Sequence, residues 1–405
     1  MKRLDVYYSG WGEDWPLATL AEDGNTLLFE YSAEAVAQGL ELSPLHLKLR
    51  PAAYGNFPAH LLRLPGLVAD ALPDGWGLLL MDRWFRQQGR APSPLDRLAF
   101  LGNRAMGALR FVPAEEPSTE VADWPLPALA EEAQQILAGK ATEALRELVV
   151  VGGSPQGARP KALVQYDVFS NNVSTLPDAP GQPWLVKFPA RGEHKEVCAL
   201  EHLYAAFATL CGLEIPETAW FDLSPKLAAF GMARFDREEG MRVPVHSLAG
   251  LLHADFRLPG TDYITLLRAT RLITRDQREV DRAYARAVFN VVFHNRDDHA
   301  KNFAWRLGRD RRWRLAPAFD LTCSEGPNGH HFSDVCGEGK NITRSHLLRL
   351  AGEGGIEKTV AEAVIGQVTE QAGRFREVAQ NYPIRRATVQ KWATTIESCR
   401  NAVVG

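Results

Sequence analysis

Cysteine is scarce. The 405 residues hold five (Cys198, Cys211, Cys323, Cys336 and Cys399), an odd number with no Cys-x-x-Cys pair. That excludes a disulfide framework and a thiolate metal site as organising devices. Cys198 and Cys211 fall in a helical pattern, where cysteine acts as a small core residue. Long apolar runs are missing too: the longest, such as Leu148-Val149-Val150-Val151, are strand-sized, far short of the ~20 residues of a membrane span. The basic start MKRLDVYYSG leads into no apolar stretch of signal-peptide length, so a cytoplasmic protein with no membrane partner is expected. Neither charge is in surplus, with 46 Lys and Arg against 49 Asp and Glu. No global field therefore draws the chain to nucleic acid or an anionic surface. Internal repeats and low-complexity tracts are absent as well.

What is present is the make-up of an ordinary globular protein, 45% apolar and 23% charged, which suits an enzyme or a binding protein alike. At ~150 residues per domain the length predicts two or three domains. Residues 1–110 read as a mixed unit. Strands are expected at 4–8, 15–20, 26–31 and 46–49, a turn at Asp23-Gly24-Asn25, and helices at 74–86 and 93–101. The acidic, polar segment 114–124 reads as a linker. Helical patterns then run to about 148, followed by a glycine turn, strands at 161–168 and 183–188, a helix at 195–210, and strands at 218–223 and 227–235. From 236 onward the pattern is mostly helical, most clearly at 280–293, where Val280, Tyr284, Ala287, Val288 and Val291 form one apolar stripe.

Three constellations carry possible chemistry. In VVVGGSPQGARPKALV (149–164), Gly152, Gly153 and Gly157 permit a backbone that approaches a phosphate closely, with Arg159 and Lys161 following. It is neither a Walker A loop nor a dinucleotide fingerprint; taken alone, it reads as a tight turn between strands. Lys187 interrupts an apolar strand pattern, and Glu201 borders the apolar face of the next helix. A kinase holds nucleotide phosphates with such a pair, although a solvated Glu201 or a competing Glu196 fits equally. The third constellation, HNRDDHAKNF (294–303), is the most specific. Asp297 and Asn302 have the spacing of a kinase catalytic loop. Two short strands, 303–307 and 313–316, lead to Asp320, where a kinase keeps its second metal ligand. The pair Asp298-His299, with His330-His331, leaves a metal phosphohydrolase as a weaker alternative.

Taken together, Ser154-x-x-Gly-Ala-x-x-Lys161, Lys187, Arg-Phe-Asp-Arg at 234–237, Asp-x-His-x-Lys-Asn at 297–302 and Phe-Asp-Leu at 319–321 resemble the HipA family. These are the serine/threonine kinase toxins of bacterial HipBA toxin–antitoxin modules. Ala-Leu-Pro-Asp-Gly-Trp-Gly at 71–77 and the stretch 101–111 look like that family's N-terminal subdomain. The resemblance implies an α+β, protein-kinase-like two-lobe fold: an accessory subdomain (1–110), a mixed N-lobe (111–235) and a mainly helical C-lobe (236–405). It implies ATP and Mg²⁺, with Asp297 as catalytic base, Asn302 and Asp320 as metal ligands, and Lys187 on the phosphates, partnered by Glu201. Gly153, Ser154, Gly157, Ala158, His299 and Lys301 would complete the ATP site, with Ala233, Arg234 and Phe235 as the adenine-facing hinge. Ser154 matches a position of autophosphorylation. The implied partners are a HipB-like helix-turn-helix antitoxin, operator DNA reached through it, and a substrate from the translation machinery such as an aminoacyl-tRNA synthetase.

Several residues depart from the pattern. Ala233 stands where some members carry an acid, Asp298 adds a charge that could take a second metal or be solvated, and Asp320-Leu-Thr lacks the glycine of Asp-Phe-Gly. Pro155 restrains Ser154. Two other functions stay open. One is a small-molecule phosphotransferase, if Asp255, Asp262, Asp297 and Asp298 line an acidic pocket. The other is an antitoxin co-repressor that touches DNA through the basic stretches 309–314 and 385–386.

Overall fold

The computed structural model describes residues 1–24, 26–115, 122–140 and 145–404. The first unit is built on an antiparallel sheet of β1 (Arg3–Tyr8), β2 (Trp15–Asp23), β3 (Thr26–Tyr31), β4 (Ala53–Tyr54) and β5 (Leu109–Val112), in the order β4-β3-β2-β1-β5. Alternation produces it: Leu4, Val6 and Tyr8 of β1 are buried while Arg3, Asp5 and Tyr7 are not. The expected turn falls where Asp23 pairs with Thr26, its Asn25 lying outside the described residues. Most of the expected linker, 116–121, lies outside them too.

No strand forms at 46–49. Pro44 and Pro51 bracket that stretch, which makes only an isolated bridge between Ser43 and Leu47; β4 pairs with β3 instead. Of the alternating leucines only Leu47 is fully buried, and His46 stacks on the ring of His253 at 4.0 Å. The alternation there serves packing against another unit.

Four helices complete this unit: α1 (Ala33–Gln38), α2 (Gly66–Ala69), α3 (Gly75–Gln87) and α4 (Pro94–Leu101). Ser93 starts α4 as expected, its hydroxyl accepting from Asp96 N while Asp96 accepts from Ser93 N.

Helices α5 (Leu126–Leu137) and α6 (Leu145–Gly152) lead into a second antiparallel sheet. Its strands are β6 (Lys161–Asp167), β7 (Asn172–Ser174), β8 (Gln182–Lys187), β9 (Thr218–Asp222) and β10 (Ala228–Ala233), in the order β7-β6-β8-β10-β9. The apolar run 148–151 is the end of α6, so a helix rather than a strand enters the glycine turn. Burial decides this: Leu145, Leu148, Val149 and Val151 are all buried where α6 packs on α3 and β6, and that contact outweighs the β preference of valine. Helix α7 (Glu196–Leu210) covers the sheet, burying Leu200, Leu203, Tyr204 and Phe207.

Beyond β10 come a hairpin of β11 (Arg237–Glu238) and β12 (Met241–Arg242), β13 (Val245–Ser247), α8 (Leu248–Leu252), β14 (Thr261–Asp262), α9 (Tyr263–Thr274) and α10 (Gln277–Val292). Strands β15 (Ala304–Leu307) and β16 (Trp313–Leu315) add to β13, and β17 (Ser333–Asp334) pairs in parallel with β14. Helices α11 (Arg344–Glu353), α12 (Lys358–Gly373), α13 (Phe375–Ala379) and α14 (Arg386–Val404) close the chain. The stripe expected on α10 is buried throughout. No helix among the described residues is long and apolar enough to cross a membrane.

The Arg-Phe-Asp-Arg stretch clamps the first unit to the rest. Buried Asp236 accepts from Arg234 and Arg237 and from Gly107 N, each at 2.8 Å. Arg242 reaches the carbonyls of Ala105 and Leu109, both at 2.8 Å.

Candidate active site

The second sheet and the segment from α10 to Asp320 face each other across a cavity of about 460 Å³, within the range of small-ligand sites. Lys187 ends β8, its cross-strand neighbours being Lys161 on β6 and Phe230 on β10. Its buried ammonium donates to Glu201 of α7 and, at 2.7 Å, to Asp320. Burial pulls the Lys187 pKa down, but Asp320 and Glu201 outweigh it and hold it above the ordinary lysine value. Burial would raise Asp320, yet Lys187 and Lys161 keep it well below the usual carboxylate range. Asp320 has φ +56°, a left-handed conformation seldom taken by non-glycine residues outside functional sites. Glu196, the competing partner, is taken by Arg385, whose N and Nε donate to it at 2.8 Å.

The loop after α10 closes on itself: Asn302 Nδ2 donates to the Asp297 carbonyl at 2.7 Å, so the five-residue spacing sets both residues on one wall. The Asp297 side chain is 45% exposed. Partial burial raises its pKa, with the charges of Asp320 and Asp298 adding to this and His299 opposing it. His299 Nε2 lies 4.0 Å from Asp297 Oδ1, and its ring meets those of Phe256 and Phe332.

Asp298 is neither solvated nor a metal ligand in waiting. It is fully buried and accepts from Tyr263 Oη and His331 Nδ1, both at 2.7 Å, and from Phe332 N at 2.8 Å. The two histidine pairs thus supply packing and a carboxylate anchor. Among the described residues no three His, Cys, Asp or Glu side chains converge as a metal cage.

The glycine-rich segment forms the third wall. Lys161 sits beneath Gly157 and donates to Gln156 O; burial, then Lys187, pushes its pKa down to about 8. Gly153 and Ser154 are buried, and Ser154 Oγ has no hydrogen-bond partner among the described residues. Gly157 and Ala158 line the cavity, but the Gly157 N–H is donated to Asp74.

Residues 233–235 also line the cavity, although Ala233 N is committed to Glu217 O at 2.8 Å and Arg234 N to Pro183 O at 2.9 Å. Of the three expected hinge amides, only Phe235 N is then left to serve a base. Lys301 lies at the cavity edge, 3.1 Å from Asp74. Asp74 is the residue that sequence reasoning missed, because Pro-Asp-Gly reads as a helix start and its tertiary partners are distant in sequence.

The four acids offered for a cationic pocket do not converge. Asp255 pairs with Arg257 at 3.3 Å, and Asp262 caps α9 through Ile264 N at 2.7 Å. Most of the arginines in the basic stretches are paired as well: Arg309 with Glu239, Arg311 with Glu13, Arg314 with Asp310, and Arg385 with Glu196.

No curated protein matches the chain. In structure it is similar to HipA of Shewanella oneidensis MR-1, solved with HipB and operator DNA, at 17% identity over 99% of this chain and 97% of that one, TM-score 0.71. This likeness shows the fold. The proinflammatory kinase CtkA of Helicobacter pylori is similar at 13% identity over 59% of this chain and 93% of that one, TM-score 0.43. Residues 4–112 match the HipA N-terminal domain and residues 153–374 the HipA-like C-terminal domain. The chain belongs to the HipA family.

Proposed function

We propose that the protein is an ATP-dependent serine/threonine protein kinase, with residues 1–110 as an accessory subdomain on two kinase-like lobes, 111–235 and 236–405. One observation carries the reading: buried Lys187 bridges Glu201 and Asp320, and Lys187 and Asp320 share a single cavity with Asp297 and Asn302.

The residues present fit ATP and Mg²⁺. Asp320 and the Asn302 side-chain oxygen offer hard donors in the small number that Mg²⁺ takes from protein when substrate phosphates supply others. Lys187, still charged, suits phosphate oxygens. Held by Asp320 and Asn302, Mg²⁺ would supply positive charge to offset that of the phosphates. Lys187 holds the phosphates, and Glu201 holds Lys187. The Asp297 carboxylate accepts the proton of the incoming serine or threonine hydroxyl as its oxygen bonds to the γ-phosphorus and the bond to ADP breaks. The raised pKa of Asp297 makes it a better proton acceptor than an ordinary aspartate.

Autophosphorylation at Ser154 is part of this reading. A buried hydroxyl without a partner cannot keep a group of about −1.5 to −2 charge in place, so the loop must leave and the site switches off. The HipA of Shewanella oneidensis is described with HipB and operator DNA. That supports a HipB-like antitoxin as partner here and DNA contact through it; a helix-turn-helix antitoxin and a substrate from the translation machinery are what the family resemblance implies for a toxin of this kind.

The test uses γ-labelled ATP, Mg²⁺ and bacterial soluble protein with wild type and Asp297→Asn. Wild type is expected to label protein, and the variant to do so roughly 10²–10⁴-fold more slowly while binding ATP equally. Equal labelling would overturn the reading.

A further inference from the structure

Asp74 stands at the N-cap position of α3, yet its carboxylate makes no capping bond to that helix. It turns to the opposite walls of the cavity. One oxygen accepts from Gly157 N, and the other lies 3.1 Å from Lys301 Nζ. Both side chains of the Asp74–Lys301 pair are 10% exposed. Burial would raise the Asp74 pKa, but Lys301, the Gly157 amide and Lys161 together hold it below the ordinary aspartate value. It is therefore a carboxylate at neutral pH.

The approach is close by construction. Gly75 has φ +32°, and a Cβ there would meet Ala158 Cα at 2.7 Å. Trp76 N donates to Gly157 O, and Trp76 Nε1 to Lys161 O, each at 3.1 Å. The accessory unit thus presses residues 74–76 onto the glycine-rich segment and delivers one negative charge between the Gly157 amide and the Lys301 ammonium.

A loop amide and a desolvated lysine are donors that a phosphate oxygen takes. The carboxylate of Asp74 engages the same two. We propose that Asp74 determines nucleotide affinity as an internal phosphate mimic: it holds the Gly157 and Lys301 donors, and the terminal phosphates of ATP must displace it. This rests on the kinase reading and deepens it, since it makes the accessory unit a competitor within the ATP site. The single Gly157 N–H serves one acceptor at a time, whereas the Lys301 ammonium has three N–H donors, so competition falls on the Gly157 amide, and a carboxylate beside a triphosphate also repels it. Removing the charge therefore favours phosphates and leaves the adenosine moiety indifferent.

The test is calorimetric titration of the full chain with the β,γ-imido analogue of ATP, with Mg²⁺, and separately with adenosine. Asp74→Asn is expected to tighten the analogue by roughly 5- to 10-fold, the scale of one relieved charge interaction at about 4 Å with water-like screening, with adenosine affinity unchanged. Asp74→Glu, which keeps the charge, is expected to stay near wild type. Should Asp74→Asn fail to fold, Asp74→Ser, whose hydroxyl can cap α3, carries the same expectation. Unchanged or weaker analogue binding, or equal tightening of adenosine, would overturn the proposal while leaving the kinase reading intact. No analogue binding by wild type would overturn both.

Discussion

Lys187 is a charge taken out of water whose place depends on two carboxylates. Removing one member of a buried ion pair leaves the other uncompensated, at about 3–5 kcal/mol. Lys187→Met is therefore expected to lower the unfolding free energy from urea titration by that amount, and adding Glu201→Gln to recover part of the loss. If the double variant is no more stable than the single, the buried pair is not the source. At Asp297 the pH dependence has a definite sign. Only the ionised carboxylate accepts a proton, and its pKa is raised. Phosphoryl transfer should therefore fade, as pH falls, at a higher pH than an ordinary aspartate near ~3.9 would give. Single-turnover rates against pH check this, and an acid limb at the ordinary value contradicts it. Residues that act through short spacings, Asp297 with Asn302 and Lys187 with Glu201, were legible in the sequence. Asp298 was not, because its role depends on Tyr263 and His331, which only tertiary folding brings to it.

Among elements, those with an uninterrupted period were readable: β1, β2, β3, α7 and α10. The errors came where packing overrode local preference. The valines ending α6 favour a strand, yet burial against α3 makes them helical. The alternating leucines near 46–49 mark no strand because the stretch packs on the α8 region through His46 and His253. The entry to α3 matters most for the site. Gly75→Ala would place a methyl against Ala158 in a left-handed backbone region, at an expected cost of about 1–3 kcal/mol. Because the contact is with the glycine-rich segment, limited proteolysis there should also quicken. A variant that unfolds at the wild-type urea concentration with unchanged cleavage would show that the close approach is unimportant.

The whole molecule joins a first sheet unit to the body that holds the candidate site, and the bulk neutrality of its composition conceals the paired charges at that joint. Asp236 compensates Arg234 and Arg237 and accepts from Gly107 N. Asp236→Ala is expected to cost about 3–5 kcal/mol and to speed hydrogen exchange at 103–112, the segment that leads through Gly107 into β5. Unchanged exchange there would show that the units are held elsewhere. Chain length predicted two or three units, and the sequence motifs at 154–161, 187, 297–302 and 320 point to residues that share one cavity. The contribution of the accessory unit to the cavity wall, through Asp74 and Met106, was legible nowhere in the sequence, since no local pattern encodes contacts across 83 to 227 residues. The central claim is phosphoryl transfer by Asp297, and intact-mass spectrometry of the purified chain after incubation with ATP and Mg²⁺ tests it most directly. Wild type is expected to gain one phosphate, mapping to Ser154, and Asp297→Asn none. Equal gain by both proteins, or no gain by wild type, would contradict it.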